Sequence, residues 1–459
     1  MSFISKVRIS VAFAALIAAG TSCIDENLAG KSQDTANAAT GKIINTPENA
    51  VQGELLVCLS DKAENGESLS ELSEAVEITK VEKLFHATEH NIKYLRKYNL
   101  DKWYRVSFDG ISNEGAAQAL AAYGTVSKIQ FNTLSSCGLE TEAKNIDVET
   151  VPHDELPFTD KYLKDQWHYI NNADLSVAPT VRAGADINVR DAWKLTTGDP
   201  AIIVAVCDEG VKYDHPDLRD NMWVNEKEKN GKEGVDDDGN GFVDDVHGYN
   251  FLSTYNVATG EGELMPVNWT REGDSGHGTH VAGTVAARNN NGIGVAGVAG
   301  GDGTPDSGVR IMTCQLFSGN ASCGTMNRAQ AYKYAADNGA SIIQCSFGQD
   351  AGAVSSDASF EANYSFEYDA INYFMTNKAA ANPVSGNFAI FATGNDGKEV
   401  AGYPAAHYKY IGVSAFGPDY LPTSYTNYGP GTNISAPGGD YAINSTSSTP
   451  QRAQILSTL

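Results

Sequence analysis

The sequence predicts an α/β chain, a parallel sheet with helices on both faces, preceded by a small α+β domain. Three observations predict it. Near-continuous apolar runs that end in glycine recur from about residue 158 onward, with helix-like segments between them. An earlier stretch alternates apolar and polar residues in the manner of an antiparallel sheet. An acidic, irregular segment separates the two, and 459 residues leave room for both units.

The elements follow in chain order. Lys6 and Arg8 precede the apolar run 11–19 and then Gly20-Thr21-Ser22-Cys23, the charged, greasy, small-residue order of an export signal, too short to span a membrane as a mature helix. The small residues before Cys23 resemble a bacterial lipobox, which implies removal of residues 1–22 and lipidation of Cys23. Asp25-Glu26 resembles a surface-export signal of some Gram-negative lipoproteins. The expectation is an exported lipoprotein held at the outer membrane or cell surface by this anchor, with free secretion as the alternative. Residues 23–48 hold almost no large apolar side chain and read as a flexible tether.

The first compact unit, 49–133, carries strand-like runs at 53–60, 102–110 and 126–131 and a short helix at 113–124, so two helices on a small antiparallel sheet are expected. Residues 134–157, with Glu140, Glu142, Asp147, Glu149, Asp154 and Glu155, read as an exposed, cleavable linker. The second unit, 158–459, has strand runs beginning at Ala201, Arg310, Ser341, Phe388 and Lys409, with helical segments beginning at His277 and Arg328. Functional residues of such sheets gather at the carboxyl ends of the strands, and Asp208, Ser346 and Asn395 all fall where a strand run gives way to glycine.

A net charge of -24 repels nucleic-acid phosphates and anionic lipid surfaces, which excludes polyanions as partners and suits bound cations. Besides Cys23, the cysteines are Cys58, Cys137, Cys207, Cys314, Cys323 and Cys345. Their spacing gives no CxxC pair and no zinc pattern. Cys207 and Cys345 lie in apolar runs as small buried hydrophobes, and a Cys314–Cys323 bridge stays open for an oxidising compartment.

Nucleophilic acyl transfer needs a base beside the nucleophile, a carboxylate to orient that base, and donors for the oxyanion that forms. Such a set is dispersed along a chain, so order and local context carry the assignment. VAVCDEGVKYDHPDL surrounds Asp208, SGHGTHVAGTVAA surrounds His277, FATGNDG surrounds Asn395 and NISAPGG surrounds Pro437, in that order. Together they resemble the subtilisin-like serine proteases, the subtilase family, from about Gln166 to the C-terminus.

The resemblance implies a serine endopeptidase in which Asp208 orients the imidazole, His277 is the general base and Asn395 donates to the oxyanion. It also implies that extended polypeptide lies along Ser346-Phe347-Gly348, with Ala392-Thr393-Gly394 as the opposite wall of the first specificity pocket. His280, one turn into the helix, is read as structural.

Two departures stand out. Residue 209 is Glu where the family has Ser or Thr, and strand alternation should point it away from Asp208. The family continues from SAPG to a GTSMA-type motif that supplies the nucleophile, and no such motif occurs in these residues. Ser457 matches a strand residue upstream of that serine. The expectation is that the chain is C-terminally truncated, that the reading frame continues past Leu459 into a Gly-Thr-Ser motif, and that these residues alone do not hydrolyse peptides. A catalytically dead, peptide-binding surface lipoprotein is the alternative.

The segment 235–245 places Asp236, Asp238 and Asn240 at alternating positions, then Gly241, then Asp244 and Asp245, like the first half of an EF-hand loop for calcium. His247 stands where a bidentate Glu is expected, so Asp244 or Asp245 must complete the set. A second calcium loop, implied by the resemblance, comprises Asp217 with Asn290 or Asn291. The unit 49–133 resembles the propeptide domains that precede subtilases, which implies that it assists folding and covers the active site. The partners implied for the whole chain are polypeptide substrates, its own propeptide and, through Cys23, a membrane.

Overall fold

The computed structural model describes residues 41–61, 63, 72, 76–89, 91–135, 156–319, 321–377, 386–440 and 452–459. The expected signal segment, Cys23, Cys137, most of the tether and most of the acidic linker lie outside the described residues.

In the N-terminal unit β1 (Glu54–Leu59) lies between β3 (Trp103–Asp109) and β4 (Val126–Gln130), with β2 (Glu77–Lys83) outside β3, giving an antiparallel sheet ordered β2-β3-β1-β4. Helix α1 (Ile92–Lys97) joins β2 to β3 and α2 (Asn113–Ala121) joins β3 to β4. The Ser112 hydroxyl caps α2 by accepting from Gly115 N at 3.2 Å. That helix buries Ala116, Ala117 and Leu120 against Leu55, Val57 and Ile129.

β1 is buried on both faces, because Leu56 and Cys58 point the other way into the core of the second unit. Trp103 and Phe85 pack there on Phe366, at ring separations of 4.9 Å and 5.4 Å. Asn91 reaches Asp337 at 3.0 Å, and Gln330 reaches the Leu84 carbonyl at 3.0 Å.

Two expected boundaries move. The tether was expected to run to Glu48, yet residues 42–45 already pair with β4, with Ile129 N donating to Lys42 O at 2.8 Å and Ile44 N to Ile129 O at 2.9 Å. The linker was expected from Leu134, yet β5 (Leu134–Ser135) pairs antiparallel with β9 (Cys323–Gly324) of the second unit.

The second unit opens with the short helix α3 (Val189–Ala192) and then β6 (Ile203–Glu209), α4 (Glu226–Lys229) and β7 (Gly248–Asn250). After these come α5 (His277–Ala286), β8 (Arg310–Phe317), β9, α6 (Thr325–Asp337) and β10 (Ile342–Cys345). It closes with α7 (Asp357–Asn363), α8 (Ser365–Thr376), β11 (Phe388–Ala392), β12 (Ile411–Phe416) and β13 (Ile434–Pro437).

Among the described residues the main sheet has seven strands ordered β13-β12-β11-β10-β6-β8-β7, and every pairing within it is parallel. Helix α5 covers one face over Val204, Val206 and Ile311. Helices α6 and α8 cover the other over Ala205, Cys207, Met312 and Ile343. This is a parallel α/β sheet with helices on both faces, as the sequence predicts.

Register is what places the site. Cys207 is level with Cys314 on one side and Cys345 on the other, and Cys345 is level with Phe391. Asp208, Ser346 and Ala392 are therefore one step further on, side by side at the carboxyl edge. Cys58, Cys207, Cys314, Cys323 and Cys345 are free and buried, so the Cys314–Cys323 bridge is not formed. Cys314 points to Cys207 in the neighbouring strand instead.

Candidate active site

Asp208 leaves the end of β6 fully buried, and its Oδ1 lies 2.6 Å from Nδ1 of His277, the first residue of α5. Burial alone would push the imidazole toward its neutral form, but the Asp208 carboxylate outweighs it and the ring titrates above its ordinary value. With Nδ1 engaged, Nε2 is the ring atom left for proton transfer, and the imidazole keeps 28% exposure. Helix and strand approach this closely because residue 278 is glycine: a Cβ there would lie 2.1 Å from the Glu209 carbonyl oxygen.

Glu209 does not point away as strand alternation suggests. Asp208 pairs with Gln315 but Glu209 pairs with Phe317, so β8 carries an extra residue and the local twist changes. The Glu209 carboxylate turns to the start of α5, accepting from His277 N at 3.0 Å and from Ser275 N and Oγ at 3.2 and 3.1 Å.

Asn395 sits in the exposed loop after β11. The loop is shaped by buried Asn427, whose Nδ2 donates to Thr393 O at 2.9 Å and Asp396 Oδ2 at 3.1 Å, and whose Oδ1 accepts from the amides of Asp396 and Lys398, both at 3.0 Å. Gly394 has φ 104°, and a Cβ there would lie 2.4 Å from that Nδ2, so both conformation and space require glycine. Thr393 hydrogen-bonds β12 through Val413 O at 3.0 Å, continuing the sheet edge from Ala392. Ser346 accepts from the Gln344 amide at 2.7 Å, Phe347 is buried edge-on against Phe317, and a Cβ at Gly348 would lie 2.8 Å from Tyr403 O.

His280 donates through Nε2 to Ile455 O at 3.0 Å, facing residues 452–459, which run along α5. Ser457 Oγ there bonds the His280 carbonyl at 2.7 Å.

The two acidic loops are built differently from the pattern. Glu228 on α4, eight residues before Asp236, brings a carboxylate into a group with Asp236 and Asp238 whose oxygens lie within 4.8 Å of one another. Its Oε1 accepts from the amides of Asp237 and Asp238, and its Oε2 from Asp244 N. Asp244 turns its own carboxylate to Gly234 N, and Asp245 is buried beneath Asn225, Asn240 and Tyr334, where burial pushes it up to about 7. Neither takes the completing place expected of it.

In the second loop Asn291 Nδ2 donates to Asp217 Oδ1 at 2.6 Å, while the Asn290 side chain serves Thr159 and Asp302. Asp160 joins by accepting from the amides of 290 and 291. Burial, with Asp160 nearby, pushes Asp217 up to about 6.

Residues 199–458, more than half of the chain, match the subtilase family of peptidases S8. The chain belongs to the subtilase family. Halolysin of Haloferax mediterranei is 31% identical over 256 residues, which are 56% of this subtilase and 38% of halolysin. The thermophilic serine proteinase of Bacillus sp. (strain AK1) is 30% identical over 249 residues, 54% of this chain and 47% of that one. The halolysin-like extracellular serine protease Nep of Natrialba magadii is 28% identical over 258 residues, 56% and 38% of the two chains. This subtilase thus spans less than half the length of each of these relatives. Among solved structures, the epidermin leader peptide processing serine protease of Staphylococcus aureus superposes with a TM-score of 0.51 at 16% identity, covering 87% of this chain and 78% of that one, which speaks to the fold.

Three contributors to this subtilase's site escaped sequence reading: Glu209, Asn427 and Glu228. Glu209 was visible as a departure but was assigned the wrong direction. Asn427 and Glu228 lie outside every motif, and only the fold brings them in.

Proposed function

We propose that the protein is a serine endopeptidase that cleaves extended polypeptide through an acyl-enzyme, with Asp208 orienting His277 as general base and Asn395 donating to the oxyanion. This reading requires a serine nucleophile beside Nε2 of His277. The observation that carries it is the 2.6 Å contact between His277 Nδ1 and Asp208 Oδ1 at the carboxyl edge of a parallel sheet, which fixes the tautomer and leaves Nε2 to take a proton. The substrate lies along Ser346, Phe347 and Gly348, with Ala392, Thr393 and Gly394 opposite. Strand addition as a binding mode is supported by β9 of this unit, which already accepts β5 as an antiparallel partner.

In the same reading the N-terminal unit is a propeptide that caps the peptidase, supported by the burial of Trp103 and Phe85 against α8. Residues 1–22 are its export signal and Cys23 its lipid anchor at the membrane. The extracellular relative Nep supports export. No described helix is long and apolar enough to cross a membrane.

Calcium serves as a structural ion. The oxygen-only donor set Glu228, Asp236 and Asp238 fits a hard cation, with Asn240 beside it, and Asp217, Asn291 and Asp160 form the second set.

The test uses the chain extended through its complete reading frame. Peptide hydrolysis and labelling by a fluorophosphonate are expected, and H277A should abolish both. A stop codon directly after Leu459, or an extended chain without the Gly-Thr-Ser motif, would leave the dead peptide-binding lipoprotein as the surviving reading.

A further inference from the structure

Helix α5 starts without a side-chain cap. Its N-cap is Gly276, held at φ 80°, and the first-turn amides need an acceptor from elsewhere. The shorter acceptor comes from β6: the Glu209 Oε2 atom takes His277 N, Ser275 N and Ser275 Oγ together, and the residue is 1% exposed, while Ser275 Oγ is a second, longer acceptor for His277 N at 3.3 Å. The same residue's amide donates to Asp208 Oδ1 at 2.7 Å, the oxygen that holds the imidazole. Glu209 therefore touches both halves of the Asp–His pair, through its backbone on one side and its carboxylate on the other.

We propose that Glu209 is a positioning residue that clamps the amino end of α5 to β6 and so holds the His277 imidazole against Asp208. The proposal rests on the reading of His277 as general base. An anionic acceptor at a helix amino end is favourable in its own right, so the clamp is strongest when Glu209 is ionised. Burial opposes that ionisation and pushes the Glu209 carboxyl up. The titratable groups facing Glu209 are Asp208 and Asp274; those facing His277 are Asp208, Glu209 and His280.

The test compares E209A and E209Q with the parent chain by proton NMR of the His277 ring, which needs no turnover. All three donors reach Oε2, and only Ser275 N also reaches Oε1, at the longer 3.4 Å, so a glutamine with its carbonyl at the Oε2 place keeps the three shorter contacts and removes the charge. E209Q should retain the low-field Nδ1 proton of the His277–Asp208 hydrogen bond and lower the imidazole titration midpoint by about half a unit. E209A should lose that proton to exchange. In the chain carrying its nucleophile E209A should also reduce kcat by about ten- to a hundredfold with KM little changed, and E209Q should restore most of it.

A low-field proton and titration unchanged in E209A overturn the proposal. If E209A does not fold, E209D decides instead: its shorter side chain keeps the charge and gives up the reach, and a low-field Nδ1 proton as persistent as in the parent overturns the proposal. Loss of the base assignment would show separately, as turnover surviving in H277A, while the ring proton in E209A would still report on the clamp.

Discussion

Replacing Asn427 with alanine tests whether the loop that carries Asn395 is held by one buried amide. The substitution deletes four hydrogen bonds, two from Nδ2 to Thr393 O and Asp396 Oδ2 and two to Oδ1 from the amides of Asp396 and Lys398. Thr393 O keeps Gly402 N at 2.8 Å, and the Asn427 backbone keeps its bond to Gly394 O at 3.0 Å, so the strand side of the loop survives. The orphans are the two amides at 396 and 398. At about 1 kcal/mol or more for each lost acceptor, the loop should lose about 2–4 kcal/mol of local stability. Hydrogen exchange at Asp396 and Lys398 should then speed up by roughly thirtyfold or more, while exchange in β6 and β10 stays as it was.

Catalysis sets the upper bound on the effect. Removing an oxyanion donor costs about 10²- to 10³-fold in kcat, so N427A should cost no more than N395A does. In a chain carrying the nucleophile, the double variant should be no worse than N395A alone, because both remove the same contribution. Unchanged exchange at 396 and 398, or losses that multiply in the double variant, would refute the reasoning.

The remaining predictions concern protons and cations. The Asp208 carboxylate holds His277 above its ordinary 6.5 against the opposing effect of burial, and only the neutral ring is a base, so kcat/KM should rise with pH through a midpoint above 6.5. D208N should move that midpoint down and lower kcat by about 10⁴-fold; a pH profile of D208N with the same midpoint would show that another group is read. His168 is fully buried with neither ring nitrogen hydrogen-bonded, and burial, with His280 adding, lowers it to about 3. The unfolded chain takes up this proton below about 6.5 and the fold refuses it, so stability falls with falling pH by about 1.4 kcal/mol per unit until about pH 3. H168F should remove that dependence, and urea midpoints of the two proteins that fall in parallel from pH 7 to pH 5 would contradict it. Chelation should lower the melting temperature by several degrees, since a cation at a hundred times its Kd adds about 2.7 kcal/mol; an identical melt in chelator speaks against a structural ion at Glu228, Asp236 and Asp238.

The strand runs themselves and the burial of Cys207 and Cys345 were legible because each follows from a short-range pattern, whereas the pairing of Asp208 with His277 was implied by the resemblance. The apolar run from Ala201 ends in an aspartate, and HGTH opens a helix. Other features depend on partners far off in the chain. β2, with the sequence EITKVEK, looks like a charged surface segment, and only pairing with β3 makes it a strand. β5 looked like part of the linker because two residues show no period, and it exists through β9, nearly two hundred residues later. Asp244 and Asp245 were credited with completing the acidic loop because they stand nearest in sequence, but the loop folds back over α4 and Glu228 takes the inner place.

The specificity of HGTH for this fold has a physical basis in how α5 meets β6. His277 must be the first helical residue for its ring to lie beside the strand end. Gly278 must follow because the helix sits 2.1 Å, in Cβ terms, from the Glu209 carbonyl, and any side chain would lift the helix and part the imidazole from Asp208. Thr279 Oγ1 accepts from Lys212 N at 2.9 Å, which ties the chain leaving β6 to the same turn. Three consecutive residues thus fix one interface, two through their side chains and Gly278 by having none, and a carboxylate at 209 adds a contact from the strand. The contacts are mutually dependent, so loosening any one of them should show first as a longer His277–Asp208 hydrogen bond, ahead of any loss of the fold.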